Sequence, residues 1–281
     1  MTDIRLVALD LDGTLFNNQS KISDKNRAAL QAATGRGIHI VISTGRPYSG
    51  LPLEQLAGTG IRYAITTNGA AIYEIPTRTC IYEDAMVPSL ALPVIRYLLT
   101  KDIHMDAFID GNAYSPLSCL PAAQKLNMPP SIKKYILETR TRLDDFTGYI
   151  EESGRSIQKM TLNFYPDESG TLVDRENVKD YLMSIPDIEC VSGGYNNLEF
   201  TKRGIDKGIG LKKLAGYLGI SPDETLAIGD SGNDASIIQA AGIGIAMGNA
   251  TEDIKAIADD ITLSNEEDGV AAALYKYLNL P

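Results

Sequence analysis

The chain has 281 residues, 44% of them hydrophobic and 22% charged, with a formal net charge of -10. That length buries a core without disulfide or metal staples, and the acidic balance argues against nucleic acid or an anionic membrane as the main partner. The same field repels anionic ligands in general, so any phosphate site would have to be built locally from cations, a metal and backbone N–H groups. Cys80, Cys119 and Cys190 are far apart in sequence and lack metal-site spacing, which reads as thiols in a reducing compartment. No signal-peptide shape and no apolar run of the roughly 20 residues needed for a membrane span is present, so the expectation is a cytoplasmic protein.

In chain order, Leu6-Val7-Ala8-Leu9 is a short apolar run that stops at Asp10, the signature of a strand buried on both faces. Ser23 to Ala33 reads as a helix, with Gly35 and Gly37 as stop signals. Ile38–Ile42 is a second buried run ending in Ser43-Thr44-Gly45-Arg46, and Tyr63–Thr66 a third ending in Thr67-Asn68-Gly69. From about 87 to 194 the texture changes: prolines and tyrosines concentrate, and the run-then-polar pattern is lost. There Lys159–Tyr165 alternates like a half-exposed antiparallel strand, and Ser169–Ile185 reads as an amphipathic helix. The parallel pattern is expected to resume near Leu198-Glu199-Phe200. Leu211, Leu214, Ala215 and Leu218 recur at helical spacing before Gly219. Leu226–Ile228 ends in Gly229-Asp230, Ser236–Ala241 is a short helix, and Ile243–Met247 ends in Gly248-Asn249.

Strand–helix alternation predicts an α/β fold, a Rossmann-like doubly wound parallel sheet. The core is expected over 1–86 and 195–281, with an inserted α+β domain over 87–194. In such sheets ligands bind at the carboxyl ends of the strands, where these runs place their polar residues.

Asp10-Leu11-Asp12-Gly13-Thr14 sets two carboxylates two residues apart at a strand end, on one side of an extended chain. Like charges this close need a cation or a division of labour; a plain Asp/Gly turn is the structural alternative. Asp230-Ser231-Gly232-Asn233-Asp234 repeats the theme, with oxygen ligands suited to Mg2+ or, equally, a dressed helix start. Thr44, Gly45 and Arg46 offer a hydroxyl, backbone N–H groups and a guanidinium suited to phosphate. Lys207 falls at a helix start, where a cation opposes the dipole and an anionic ligand would offset the penalty; otherwise it is a solvated lysine. His39 sits inside a strand pattern and His104 in the inserted domain. With only two histidines a Ser-His-Asp arrangement is disfavoured, and no complete Walker A pattern is present.

In this order and spacing the four segments resemble the haloacid dehalogenase superfamily, specifically its Cof-type branch with a type IIB cap, and are similar to bacterial sugar-phosphate phosphatases of the YidA kind. The resemblance covers nearly the whole chain, including Gly45-Arg46-Pro47-Tyr48 and the stretch Asn265–Val270. It implies a magnesium-dependent phosphatase of small phosphorylated metabolites, acting through an aspartyl phosphate. By position, Asp10 would be the nucleophile and Asp12 the acid and base. Asp10, the backbone carbonyl of Asp12, and Asp230 would hold the metal, with Asp234 supporting. Thr44, Lys207, Asn233 and the Leu11 and Gly45 N–H groups would bind phosphate. Ser231 stands where some relatives carry an acid. The cap would choose the leaving group, with Tyr114, His104, Lys159 and Asn163 as candidate selectors. Sugar phosphates head the expected substrates, with pyridoxal or flavin phosphates, a phosphomutase and a silent phosphosugar-binding regulator as alternatives. A monomer or homodimer is expected.

Overall fold

A computed structural model describes residues 3–192 and 197–280. Its strands are β1 (Leu6–Leu9), β2 (His39–Ser43), β3 (Tyr63–Thr66), β4 (Ala71–Glu74), β5 (Thr79–Glu83), β6 (His104–Ile109), β7 (Asn112–Pro116), β8 (Thr141–Leu143), β9 (Lys159–Asn163), β10 (Ile188–Ser192), β11 (Leu198–Lys202), β12 (Thr225–Gly229), β13 (Ile243–Ala246) and β14 (Asp260–Ile261). The chain divides into two units. One holds residues through Tyr82 together with those from Asp206 onward; the other is Glu83–Ile205.

The first unit is built on an eight-stranded sheet in the order β14-β13-β12-β1-β2-β3-β4-β5. β1 lies between β12 and β2, parallel to both, and β2 pairs in parallel with β3. All four residues of β1 are buried because alternate side chains feed two cores. Val7 and Leu9 join Ile40, Ile42, Leu30 and Leu274 on one face. Leu6 and Ala8 join Val41, Ile65, Leu211 and Leu214 on the other. Helices therefore cover both faces, Asp24–Gly35 and Gly269–Leu278 on one and Lys207–Leu218 on the other. This is why the strand sequences are continuous apolar runs rather than alternating ones.

The second unit carries a six-stranded sheet in the order β10-β11-β9-β6-β7-β8. Met105, Ala107, Met160, Leu162, Leu198 and Phe200 form one apolar face. They pack with Val94, Ile95, Ile150, Val178 and Leu182 from three helices. The opposite face carries His104, Asp106, Lys159, Thr161 and Asn163, all buried.

Three expectations are corrected here. β11 does not resume the parallel sheet; it pairs antiparallel with β10 and β9, within the unit Glu83–Ile205. Leu198 and Phe200 join the apolar face while Glu199 between them points to the other side and is less buried, as a strand in a sheet with one apolar face requires. β9 is buried along its whole length rather than half-exposed. The helix expected over 169–185 spans Arg175–Met183, because Asp167 Oδ1 accepts from the Ser169 and Thr171 N–H groups and closes a turn there.

Candidate active site

The polar ends of β1, β2, β3 and β12 all fall at the carboxyl edge of the first sheet. Asp10 follows β1 directly, and its N–H still donates to Ile228 O (3.1 Å), which fixes it between the central strands. The chain then turns: the Leu15 N–H reaches back to Asp10 O (3.2 Å) and the Phe16 N–H to Leu11 O (2.8 Å). Gly13 makes this turn possible with φ of +85°, a conformation that side-chain-bearing residues rarely adopt. It also leaves room for a carboxylate, since a Cβ there would lie 2.4 Å from Asp230 Oδ2.

Lys207 is not a solvated lysine. It is the first residue of its helix, fully buried, and its Nζ lies 2.7 Å from Asp10 Oδ1 and 2.6 Å from Asp234 Oδ1. The preceding Asp206 caps the helix, accepting from the Ile209 N–H at 2.8 Å, so carboxylates offset the misplaced cation at the helix start.

Asp234 has both oxygens committed. Oδ1 takes Lys207, and Oδ2 accepts the Asp230 and Ser231 N–H groups, each at 3.1 Å. Asp230 Oδ1 accepts from Thr14 Oγ1 at 3.2 Å. Oxygens of Asp10, Asp230 and Asp234 lie within 4.8 Å of one another. Among the described residues, Oδ2 of Asp10 and of Asp230 makes no hydrogen bond.

The electrostatics follow from three clustered acids and one buried ammonium. Burial pushes Asp10 up to about 8; Lys207 pulls against that and Asp234 adds to it. Burial, then Asp234, raises Asp230 to about 6. Burial alone would lower Lys207, but Asp10 and Asp234 overcome it and hold the ammonium above its usual range. An excess of oxygen ligands with raised pKa values, two with a spare oxygen each, fits a hard divalent cation.

The sequence-predicted phosphate ligands stand at the ends of neighbouring strands. Thr44 is buried after β2, with its Oγ1 accepting from the Arg46 N–H at 3.2 Å. Among the described residues, the Leu11 and Gly45 N–H groups have no hydrogen-bond partner, which leaves backbone donors unused. Asn233 is held at both ends of its amide: Oδ1 accepts from Ser231 Oγ (3.0 Å) and Nδ2 donates to Asn68 Oδ1 (3.4 Å). Ser231 thus orients Asn233.

Asp12 is not brought together with Asp10 on Lys207. Its side chain is exposed and takes Arg46 as partner, with Arg46 Nη2 to Oδ1 at 2.7 Å and Nε to Oδ2 at 3.0 Å. Strand alternation does not reach Asp12 because the turn begins after Leu9.

The sequence reading left Arg46 without a role, and missed Asn68 and Asn249. Asn249 Nδ2 donates to Gly13 O at 2.8 Å and braces the turn. Thr67 and Asn68 both have positive φ (51° and 57°). A β-branched residue held there is a strained position of the kind found near functional sites. Of the candidate selectors, His104, Lys159 and Asn163 are buried within the second unit. Asn163 Nδ2 lies 3.1 Å from His104 Nδ1, and Lys159 pairs with Glu199 at 2.8 Å. Tyr114 is half-buried against Tyr149. His39, at the start of β2, is half-buried.

A family model described as haloacid dehalogenase-like hydrolase matches residues 7–274. The chain belongs to the haloacid dehalogenase-like hydrolases. This haloacid dehalogenase-like hydrolase is 33% identical over 293 residues to phosphatase YwpJ of Bacillus subtilis, covering 95% of this chain and 98% of the relative. It is 31% identical over 274 residues to the 5-amino-6-(5-phospho-D-ribitylamino)uracil phosphatase YcsE of the same organism, covering 97% and 95%. Among solved structures, a subclass IIB sugar phosphatase superposes with a TM-score of 0.78 at 27% identity, covering 97% of this chain and 98% of that one. The protein is an enzyme, a phosphatase with a Rossmann-like core and an inserted α+β unit. Among the described residues no helix is long and apolar enough to cross a membrane.

Proposed function

We propose that this phosphatase hydrolyses a sugar or sugar-alcohol phosphate through an aspartyl phosphate on Asp10, with Mg2+ as its cofactor. The observation that carries the reading is the buried Asp10–Lys207–Asp234 chain beside Asp230. It supplies a fixed carboxylate, a fixed cation and oxygen ligands at one strand edge. The ribitylaminouracil phosphatase and the subclass IIB sugar phosphatase are both named for phosphorylated polyhydroxyl compounds.

In this reading an Asp10 oxygen attacks phosphorus, and the bond from phosphorus to the leaving oxygen breaks. Asp12 donates the proton that the leaving oxygen takes up. Water then attacks the phosphorus, the bond to Asp10 breaks with its electron pair returning to the carboxylate, and Asp12 receives the proton from water. Lys207, Thr44, Asn233 and the free Leu11 and Gly45 N–H groups bind the transferring oxygens. Asp10, the Asp12 backbone carbonyl and Asp230 would hold Mg2+, while Asp234, with both oxygens committed, orients Lys207 and the Asp230 loop. When bound, the ion supplies charge neutralisation between carboxylate and phosphate. We also assign the choice of leaving group to the inserted unit, where substitutions should reorder substrates without removing phosphoryl transfer.

The test is phosphate release from sugar phosphates, sugar-alcohol phosphates, pyridoxal phosphate, flavin mononucleotide and p-nitrophenyl phosphate, with and without Mg2+, beside Asp10→Asn. Metal-dependent release that needs Asp10 and favours polyhydroxyl esters supports the proposal. Release that survives chelation or Asp10→Asn overturns the mechanism. A requirement for a bisphosphate activator would point to a mutase.

A further inference from the structure

Arg46 is half-buried and anchored at several points. Its Nε and Nη2 form a two-pronged fork on the Asp12 carboxylate, and its Nη1 donates to Gly50 O at 3.3 Å. Its guanidinium carbon lies 5.9 Å from the centre of the Phe16 ring. Phe16 is buried and is bridged through the backbone to Asp12 itself, so cation and carboxylate are fixed to the same turn. The Arg46 backbone is pinned as well, with N–H to Thr44 Oγ1 and C=O accepting from the Thr67 N–H at 3.0 Å. The pair's side chains are 29% and 58% exposed, and such pairs add little stability. What a two-pronged fork adds is direction, because it fixes the plane of the carboxylate.

We propose that Arg46 is the positioning residue for Asp12, holding its carboxylate in place for hydrolysis of the aspartyl phosphate. The inference rests on the reading of Asp12 as the proton acceptor of that step. Each Asp12 oxygen accepts one N–H from Arg46 and keeps lone-pair capacity for a proton from water. In the step concerned, the water oxygen bonds to phosphorus, the phosphorus–Asp10 bond breaks toward Asp10, and the water proton passes to Asp12. The first half-reaction is different. The fork is strongest on the charged carboxylate that takes the water proton, and it orients the neutral acid that begins formation of the aspartyl phosphate less firmly. An ester with a good leaving group needs no acid there at all. Arg46 should therefore matter selectively for the second half-reaction.

The experiment is rapid-quench turnover of p-nitrophenyl phosphate by the full chain with Mg2+. It reads the first-turnover rate of p-nitrophenol release, the steady-state rate, and the fraction of enzyme trapped as phosphoenzyme. Wild type is compared with Arg46→Ala, Arg46→Lys, Asp12→Asn and the Arg46→Ala/Asp12→Asn double variant, with thermal melts confirming that each is folded. Arg46→Ala is expected to leave the first turnover within about twofold while lowering the steady state about 10- to 100-fold, with phosphoenzyme accumulating. Arg46→Lys should restore only part of the rate, since an ammonium cannot form the fork. In the Asp12→Asn background the arginine change should add less than about twofold, because the two residues act as one unit.

Equal slowing of the first turnover and the steady state would overturn the inference, placing Arg46 on the substrate. So would a wild-type steady state, or full additivity with Asp12→Asn. If Asp12→Asn itself fails to separate the two half-reactions, the reading of Asp12 falls and the inference with it. If Asp12→Asn separates them and Arg46→Ala does not, the inference alone falls.

Discussion

Metal affinity should climb steeply with pH, and the slope follows from the crowding of acids around Lys207. Asp10 titrates at about 8 and Asp230 at about 6 in the metal-free protein, both raised first of all by burial. Mg2+ binds the carboxylate forms, so below these values it must displace protons. One carboxyl titrating near 8 gives about a tenfold change per pH unit below that point, so apparent affinity should rise on the order of 100-fold from about pH 6 to pH 8. Stability carries the same linkage with the opposite sign in the metal-free state. A carboxyl whose folded pKa is raised contributes stability below its ordinary range, and that contribution is lost as pH rises through about 6 for Asp230 and about 8 for Asp10. His39 and His104, both lowered first of all by burial, contribute stability that is fully present above the usual histidine range and is lost as pH falls through their lowered values, and so run the other way. The assay must therefore compare loaded and metal-free protein at each pH, which cancels the histidines. Calorimetric titration with Mg2+ in two buffers of different ionisation enthalpy reads both affinity and proton release. The expected result is an affinity rising from pH 6 to 8 with about one proton released near pH 7. A flat or falling affinity, or no proton release, would refute the reasoning.

Lys207→Met should remove turnover and cost about 3–5 kcal/mol in chemical denaturation above about pH 8, where Asp10 is charged, because it leaves Asp10 and Asp234 buried without their cation; a variant as stable as wild type at that pH would contradict the pairing. Gly13→Ala should weaken Mg2+ binding while the melting curve stays cooperative, since its Cβ lies 2.4 Å from an Asp230 oxygen at a φ of +85°; unchanged metal affinity would mean that the Asp230 position is not essential. Gly69→Ala places a Cβ 2.0 Å from the Asp206 carbonyl oxygen and should lower both stability, by at least about 2 kcal/mol, and turnover through displacement of the Lys207 helix; an unaffected melting temperature would contradict that packing.

The parts of this protein legible in its sequence are those where one physical demand dominates. β1, β2, β3, β12 and β13 are buried on both faces, so each is an apolar run with a polar stop. The stops mark the strand ends at which Asp10, Thr44 and Asp230 stand. Lys207 could be found because a cation at a helix start is locally unfavourable, but its carboxylate partners are remote: Asp10 lies 197 residues away in sequence. The Arg46–Asp12 fork spans 34 residues and leaves no local trace. Thr67 carries a positive φ that its β-branched side chain does not advertise, unlike Asn68 and Gly13. At the centre of the second sheet β6 and β9 have one apolar and one polar face, yet both are buried, so the alternation of β9 suggested exposure that is absent. The helix Arg175–Met183 was overextended because the Asp167 turn competes with helix through side-chain hydrogen bonds rather than through apolar spacing.

The most direct test of covalent catalysis by Asp10 is acid-quench mass spectrometry of the Asp12→Asn variant, taken during turnover of p-nitrophenyl phosphate with Mg2+. The account predicts a phosphoryl group on the peptide containing Asp10, absent when Asp10→Asn is added. A phosphoryl group on another residue, or hydrolysis proceeding with Asp10 replaced, would contradict it.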